Sequence, residues 1–214
     1  MTEKRFCIVC GKEIFSDDPT ILFCGNHTEA QNKPKQFDGI SKGKCTIYQE
    51  YVLQEHTGKV YNLAVTPDGR YAVSGGEDMI LHKWDLESGE FLHMFAGHPF
   101  FITTLAITPD GHQVISSSSE LMFVWDLESW KLLHTLESQT NSVYAIDITP
   151  DGHRLVAGGV NGKLEIWDLK SGILLRTLEG HKSSVYSLAV TPDGRKLGSC
   201  SGANSLGAWA IESG

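Results

Sequence analysis

The chain has 214 residues with 18 basic and 26 acidic side chains, which gives a formal net charge of −8. The acidic excess falls on residues 45–214, which carry 11 basic and 20 acidic side chains without a Lys- or Arg-rich run. Because nucleic-acid binding depends on clustered positive charge, this composition argues against a nucleic-acid partner. No stretch is apolar for long enough to cross a membrane, so we expect a cytoplasmic protein without a membrane partner.

The N-terminal segment carries a cysteine and histidine pattern typical of a structural zinc site. Cys7 and Cys10 form a C-x2-C pair, and Cys24 and His27 form a C-x2-H pair after a gap of 13 residues. Thiolates and imidazoles at such spacings converge on one tetrahedral Zn²⁺. We therefore predict a small zinc-stabilised domain at residues 1–32, which resembles treble-clef and zinc-ribbon fingers.

The alternatives for these cysteines are disulfides and free thiols. The first residues do not resemble a signal peptide, and disulfides are rare in a reducing compartment. Cys45 is an alternative metal ligand, but it ends the segment 33–45, whose Pro, Gly and charged residues indicate a linker. Since protein groups fill all four predicted ligand positions, we expect the zinc to be structural rather than catalytic.

A pattern with a period of about 42 residues repeats four times after this linker. It is marked by four tryptophans and, in step with them, by four Pro-Asp-Gly turns: Trp84, Trp125, Trp167 and Trp209, and the turns that begin at Pro67, Pro109, Pro150 and Pro192. Each period holds four short apolar runs separated by turn residues, and the run that contains the tryptophan alternates with period two. Periods of this length are typical of small units that bury their apolar faces against one another.

The repeat resembles the WD-repeat family of β-propellers. The Trp-Asp dipeptide of that family occurs at 84–85, 125–126 and 167–168, and its Gly-His dipeptide occurs at 97–98 and 180–181. The resemblance covers residues 46–214 and implies an all-β propeller of four blades, each with four antiparallel strands. The expected repeats are about 56–97, 98–138, 139–180 and 181–214, with a strand at 46–55 that closes the last blade.

Four blades leave three arrangements open. One chain closes as a four-bladed ring, or two chains join into an eight-bladed ring by exchanging their N-terminal strands, or the chain is part of a longer array. The sequence does not choose among them.

The resemblance also implies a buried hydrogen-bond network in each blade. The first repeat supplies all four members, which are His56, Ser74, Asp78 and Trp84. The fourth repeat supplies His181, Ser199 and Trp209 but has Ala203 at the Asp position. The third repeat has Gln139, Ala157 and Asn161 at the His, Ser and Asp positions. We expect the network of the third repeat to be incomplete. Ser, His and Asp recur with the repeat, which favours a structural role over a catalytic triad.

In WD propellers the loops before the first strand of each blade line one face. At these positions the chain has Phe100 and Phe101, and Tyr61, Tyr144 and Tyr186 recur just inside the same rim. Exposed aromatic side chains are typical anchors of protein interfaces. The alternative is packing between blades, with the tyrosine hydroxyls at the surface.

These features predict a protein without catalytic activity of its own, because no activated nucleophile or open metal position stands out. We expect a scaffold that presents the propeller rim to a protein or peptide partner. The alternatives are a regulatory or sensing subunit of an enzyme complex and a half-propeller that forms an eight-bladed homodimer.

Overall fold

The computed structural model describes residues 5–6, 13–14 and 52–211. The chain divides into two units, Met1–Tyr51 and Val52–Gly214.

In the first unit, strand β1 (Arg5–Phe6) pairs antiparallel with strand β2 (Glu13–Ile14). The predicted zinc ligands lie outside the described residues, so the zinc site stays a prediction: these are Cys7, Cys10, Cys24 and His27.

The second unit consists of four antiparallel sheets, each built from strands that follow one another in the chain. Blade 1 contains β3 (Val60–Val65), β4 (Tyr71–Gly76), β5 (Leu81–Asp85) and β6 (Phe91–Phe95). Blade 2 contains β7 (Thr104–Ile107), β8 (Gln113–Ser118), β9 (Leu121–Asp126) and β10 (Leu132–Glu137). Blade 3 contains β11 (Val143–Ile148), β12 (Arg154–Gly159), β13 (Leu164–Asp168) and β14 (Ile173–Leu178). Blade 4 contains β15 (Val185–Val190), β16 (Lys196–Ser201) and β17 (Ser205–Ala210). The all-β prediction is confirmed.

The Pro-Asp-Gly turns join the first two strands of every blade in the same way. In blade 1 the Thr66 hydroxyl donates to Asp68 Oδ1, which also accepts the backbone N–H of Arg70. These bonds, led by that of Thr66, lower the pKa of Asp68. Gly69 follows with φ of 72°, a left-handed conformation in which a side chain would be strained. The same Thr–Asp bond recurs in the other three blades, so the repeated turn sequence encodes a repeated turn structure.

Neighbouring blades pack through their first strands, β3 against β7, β7 against β11 and β11 against β15. Each junction is formed by one apolar residue from each blade. One lies at or just before the start of the first strand of the later blade. The other lies three positions before the tryptophan of the preceding blade. The three pairs are Ile102 with Leu81, Val143 with Met122 and Val185 with Leu164, and all six side chains are fully buried. Full burial of a side chain of this size contributes about 1.5–3 kcal/mol.

Blades 1 and 4 each expose one of the two apolar positions that form such a junction. Val60 of β3 is 50% exposed, although its counterparts in the other blades are completely buried. Leu206 of β17 is 77% exposed, although its counterparts are likewise buried. Within residues 52–211, β3 does not pack against blade 4 as it packs against β7. The closed four-bladed ring is therefore not the arrangement of this structure.

The expected closing strand of blade 4 lies mostly outside the described residues. Blade 4 has three strands in the part of the chain that the structure describes, and residues 52–55 form no strand. Because residues 46–51 are not described, strand closure stays a prediction.

No helix within the described ranges is long and apolar enough to cross a membrane.

Candidate functional site

The rim aromatics lie at junctions between blades. Tyr61, near the start of β3, contacts Phe101, in the loop before β7, edge to face with ring centroids 6.5 Å apart. Tyr144 and Tyr186 stack across the junction of blades 3 and 4 with centroids 5.8 Å apart and ring planes within 7° of parallel.

All five predicted rim residues expose more than a third of their surface, from 37% for Tyr144 to 61% for Tyr186. The packing and surface interpretations are thus compatible, because four of these rings touch a ring across a junction between blades with one part and face solvent with another: Tyr61, Phe101, Tyr144 and Tyr186. In blade 2 the equivalent tyrosine position holds Thr103, whose hydroxyl donates to the backbone oxygen of Val143 at 2.7 Å.

The backbone of Phe100 is held by one buried side chain. Its N–H donates to Ser118 Oγ at 3.0 Å, and the Ser118 hydroxyl donates back to the Phe100 carbonyl at 2.8 Å. Ser118 is completely buried at the end of β8. The exposed ring of Phe100 is therefore carried by a loop with a fixed backbone.

An acidic depression lies between the loops of blades 2 and 3. Its lining is polar and includes two carboxylates: Glu120, Glu137, Ser138, Gln139 and Asn141. Asn141 occupies in its repeat the position that Phe100 occupies in the repeat before. The depression and the aromatic residues thus belong to the same row of loops.

Blade 1 contains the four-membered network that the sequence indicates. His56 lies 2.7 Å from Ser74 Oγ through Nε2 and 2.7 Å from Asp78 Oδ2 through Nδ1, and Trp84 Nε1 donates to Ser74 Oγ at 2.8 Å. Burial raises the pKa of Asp78, but the hydrogen bond and charge of His56 and the N–H of Thr57 outweigh it and lower this pKa. The network ties the loop before blade 1 to strands β4 and β5.

Blade 4 has the same network with one replacement. His181 Nε2 lies 2.7 Å from Ser199 Oγ, which accepts the Trp209 indole N–H at 2.8 Å. Ser205 Oγ, 3.0 Å from His181 Nδ1, takes the place of the missing Asp. The sequence pattern does not indicate this partner, because Ser205 lies two residues after Ala203, which occupies the Asp position of the repeat.

Blade 2 has a network with one unpaired atom. His98 Nε2 lies 2.7 Å from Ser116 Oγ, and Trp125 Nε1 donates to the same oxygen at 3.1 Å. His98 Nδ1 is buried without a hydrogen-bond partner among the described residues. Burial lowers the pKa of His98 to about 4, so the ring is neutral at pH 7.

Blade 3 replaces the network rather than losing it. The buried carboxylate of Glu165 accepts three hydrogen bonds, from Ser138 Oγ at 2.8 Å, Gln139 N at 2.7 Å and Trp167 Nε1 at 3.2 Å. The network of the other blades is incomplete here, as the sequence predicts, because Ala157 stands at the position of the accepting serine, and Glu165 supplies a different acceptor. The sequence contained one indication of this arrangement: Glu165 is a charged residue two positions before Trp167, on the same side of an otherwise apolar strand.

These networks are structural in geometry. Three blades repeat the same Ser–His–Trp contact, and each contact joins strands or loops of one blade. A nucleophile is needed once and must reach a substrate, which favours the structural role of these groups.

We expect Glu165→Gln to lower the free energy of unfolding by about 2–4 kcal/mol. Both carboxylate oxygens accept donors, so either orientation of the amide turns an NH₂ group toward an N–H or O–H donor. Urea denaturation measures the loss. Glu179→Gln, at an exposed ion pair with Lys163, is the control and should change stability by less than about 1 kcal/mol. Equal losses in the two variants would contradict the role of Glu165.

We expect His98 to make the protein less stable in acid. Since its pKa is about 4 when folded and 6.5 when unfolded, its contribution is complete above pH 6.5 and is lost as the pH falls toward 4. Between pH 7.5 and pH 5 the loss is about 2 kcal/mol. His98→Gln retains a hydrogen-bonding group and should remove this part of the pH dependence in urea denaturation. The exposed His112→Gln should leave it unchanged; if His98→Gln also leaves it unchanged, the assignment is wrong.

Comparison with known proteins agrees with this architecture. The model of the family "WD domain, G-beta repeat" matches residues 47–85, 89–126, 130–168 and 172–209. Each stretch covers the first three strands of one blade, the last three stretches also include the outer strand of the preceding blade, and together they cover well over half of the chain.

Similar curated proteins share only short stretches with this chain. Cilia- and flagella-associated protein 52 of Sus scrofa is 33% identical over 64 residues, which are 30% of this chain and 10% of that protein. The U3 snoRNP-associated protein-like EMB2271 of Arabidopsis thaliana is 31% identical over 81 residues, 38% of this chain and 17% of that protein. The chain thus spans less than a fifth of the length of these relatives.

The family match, the antiparallel four-sheet architecture and the buried tryptophan contacts agree with one another. The chain belongs to the WD-repeat (WD domain, G-beta repeat) family.

Proposed function

We propose that this protein is a non-catalytic scaffold that presents the row of aromatic loops on its blades to a protein or peptide partner. The observation that carries the proposal is the exposure of five aromatic side chains along one rim, in a loop or near the start of the first strand of a blade: Tyr61, Phe100, Phe101, Tyr144 and Tyr186. Two similar proteins are named for large assemblies, a cilium or flagellum and the U3 snoRNP, which supports a scaffold role.

The rim has the physical properties of an interface anchor. Aromatic side chains that pass from partial exposure to full burial dominate the binding energy of many interfaces. Because Ser118 already fixes the Phe100 backbone, binding there orders little additional chain.

The charge near the rim selects the partner's chemistry. Glu120 and Glu137 line the depression beside the loops, and residues 45–214 carry a large acidic excess. A segment with apolar side chains for the aromatic residues and basic side chains for the depression matches both features. We therefore propose a peptide segment of mixed basic and apolar character.

The double variant Phe100→Ser/Phe101→Ser tests the rim. We expect its affinity for the captured partner to fall about tenfold or more, because both anchors lose their buried area. Affinity capture of the full-length chain with quantitative mass spectrometry measures this loss.

The matched control is Leu92→Ser/Leu133→Ser, which removes two comparably exposed apolar side chains from the outer strands β6 and β10. It should retain the partner set. Identical partner sets for wild type and the phenylalanine variant would reject the rim.

A second candidate function is self-association into an eight-bladed ring, and the end faces favour it. Val60, Leu63 and Val65 of β3 are exposed on one end blade, and Leu206 is exposed on the other. These are the two halves of a junction that the chain already forms three times. Two copies joined end to end bury both pairs of faces and leave neither open.

Native mass spectrometry of the full-length chain tests this association. We expect two chains per particle for the wild type and one chain for Leu206→Lys, because a charge cannot be buried unpaired at the junction. Leu175→Lys, a change at an exposed leucine of the outer strand β14, should remain a dimer. A wild type that stays monomeric at high micromolar concentration would exclude the dimer.

We also propose that Cys7, Cys10, Cys24 and His27 bind a structural Zn²⁺. The C-x2-C and C-x2-H spacings of these four residues in the sequence support the site. The zinc content of the same mass spectrum, compared with that of Cys7→Ser, reports on this site.

A further inference from the structure

His82 of β5 is a buried histidine without a hydrogen-bond partner. Its side chain is 5% exposed, and neither ring nitrogen is hydrogen-bonded among the described residues. It is two residues before the blade tryptophan, a position that holds Phe123, Glu165 and Gly207 in the other blades. The fold therefore does not require an imidazole at this position.

An unpaired buried imidazole is costly. Buried polar groups in native proteins almost always have a partner, and leaving one unsatisfied costs about 1–3 kcal/mol. A phenylalanine fills the equivalent position of blade 2 without this cost. A ligand that engages the ring nitrogens would account for a histidine here.

The neighbours of His82 are metal-binding groups. Its Nε2 lies 3.7 Å from Asp78 Oδ2, which is too long for a hydrogen bond. His56 Nδ1 lies 2.7 Å from the same oxygen, and the two imidazole centroids are 3.9 Å apart. One donor atom from each residue lies within 4.8 Å of the other two.

We propose that His56, Asp78 and His82 form a binding site for a divalent transition metal ion in blade 1, with Zn²⁺ as the best match. Two imidazoles and a carboxylate are a ligand set that zinc accepts, and the donor atoms need only small movements to reach it. The site is separate from the cysteine and histidine pattern of the first 32 residues.

The second ring nitrogen of His56 takes the proton that metal binding displaces, and Ser74 accepts the hydrogen bond that this nitrogen then donates. Zinc needs the lone pair of His56 Nδ1, so the proton on Nδ1 moves to Nε2. There it is donated to Ser74 Oγ, 2.7 Å away, once the Ser74 hydroxyl has rotated its own hydrogen away from Nε2; the same oxygen also accepts the Trp84 indole N–H. A histidine ligand whose second nitrogen is held by such a bond has a fixed tautomer and orientation.

The other blades provide an internal comparison. In blade 4 the second nitrogen of His181 meets Ser205, and in blade 2 that of His98 meets no partner. Within residues 52–211, the group in blade 1 is the one place where three such ligands come together. The site depends on His82 and Asp78 occurring together in one repeat.

The test uses full-length chain that has been stripped with a chelator and titrated with Zn²⁺. We expect native mass spectrometry to count one zinc ion fewer on His82→Phe than on wild type. Zinc in large excess should raise the melting temperature of the wild type by about 5 °C more than that of His82→Phe. The phenylalanine variant should fold, because blade 2 already carries Phe123 at this position.

Two further variants separate this site from other effects. His93→Phe, a histidine of the same blade outside the cluster, should bind as much zinc as wild type. Cys7→Ser should affect zinc at the N-terminal pattern and leave the His82-dependent ion in place. If wild type and His82→Phe bind equal numbers of zinc ions with equal shifts in melting temperature, blade 1 has no metal site.

Discussion

The junction between neighbouring blades is the interaction on which the rest of this structure depends. A four-stranded sheet of about 40 residues cannot cover both of its own faces, so each blade is stable only against another. The chain meets this need with one apolar pair per junction, as in Ile102 on Leu81. The rim aromatics use the same junctions, since Tyr61 and Phe101 belong to adjacent blades. Packing of the core and display of the rim are therefore set by one geometry.

Each blade needs a hydrogen-bond acceptor for the indole N–H of its tryptophan, and different residues can supply that acceptor. Ser74 in blade 1, like its counterparts in blades 2 and 4, accepts this bond from the strand beside the tryptophan. Blade 3 has Ala157 at the equivalent position, and Glu165 supplies the acceptor from the tryptophan's own strand. An indole N–H left unpaired in the core would cost about as much as a lost hydrogen bond. The repeats therefore differ in sequence while each of the four blade tryptophans has an acceptor for its indole N–H.

The all-β architecture and the positions of the blades were predictable because each repeat carries strong local signals, the Pro-Asp-Gly turn and the Trp strand. The partners of the networks were less predictable, because Ser205 and Glu165 reach their positions through the register of neighbouring strands. The exposure of Val60 was not predictable from its own repeat, since Val60 and Val185 begin strands that differ only in Asn62 against Ser187. Within residues 52–211, blade 3 packs against Val185, whereas no blade packs against Val60 in the same way.

The proposed completion of the ring and the proposed binding at the rim are physically linked. Val60 and Tyr61 are adjacent in β3, so one faces the open junction while the next belongs to the rim. A blade that packs against Val60 also fixes the strand that carries Tyr61. Such a blade also adds its own loops to the rim beyond blade 1. A partner that contacts loops on both sides of the completed junction must then stabilise the ring, because any ligand that binds one state better shifts the equilibrium toward that state. By the same linkage, a closed ring binds such a partner more tightly than the open chain.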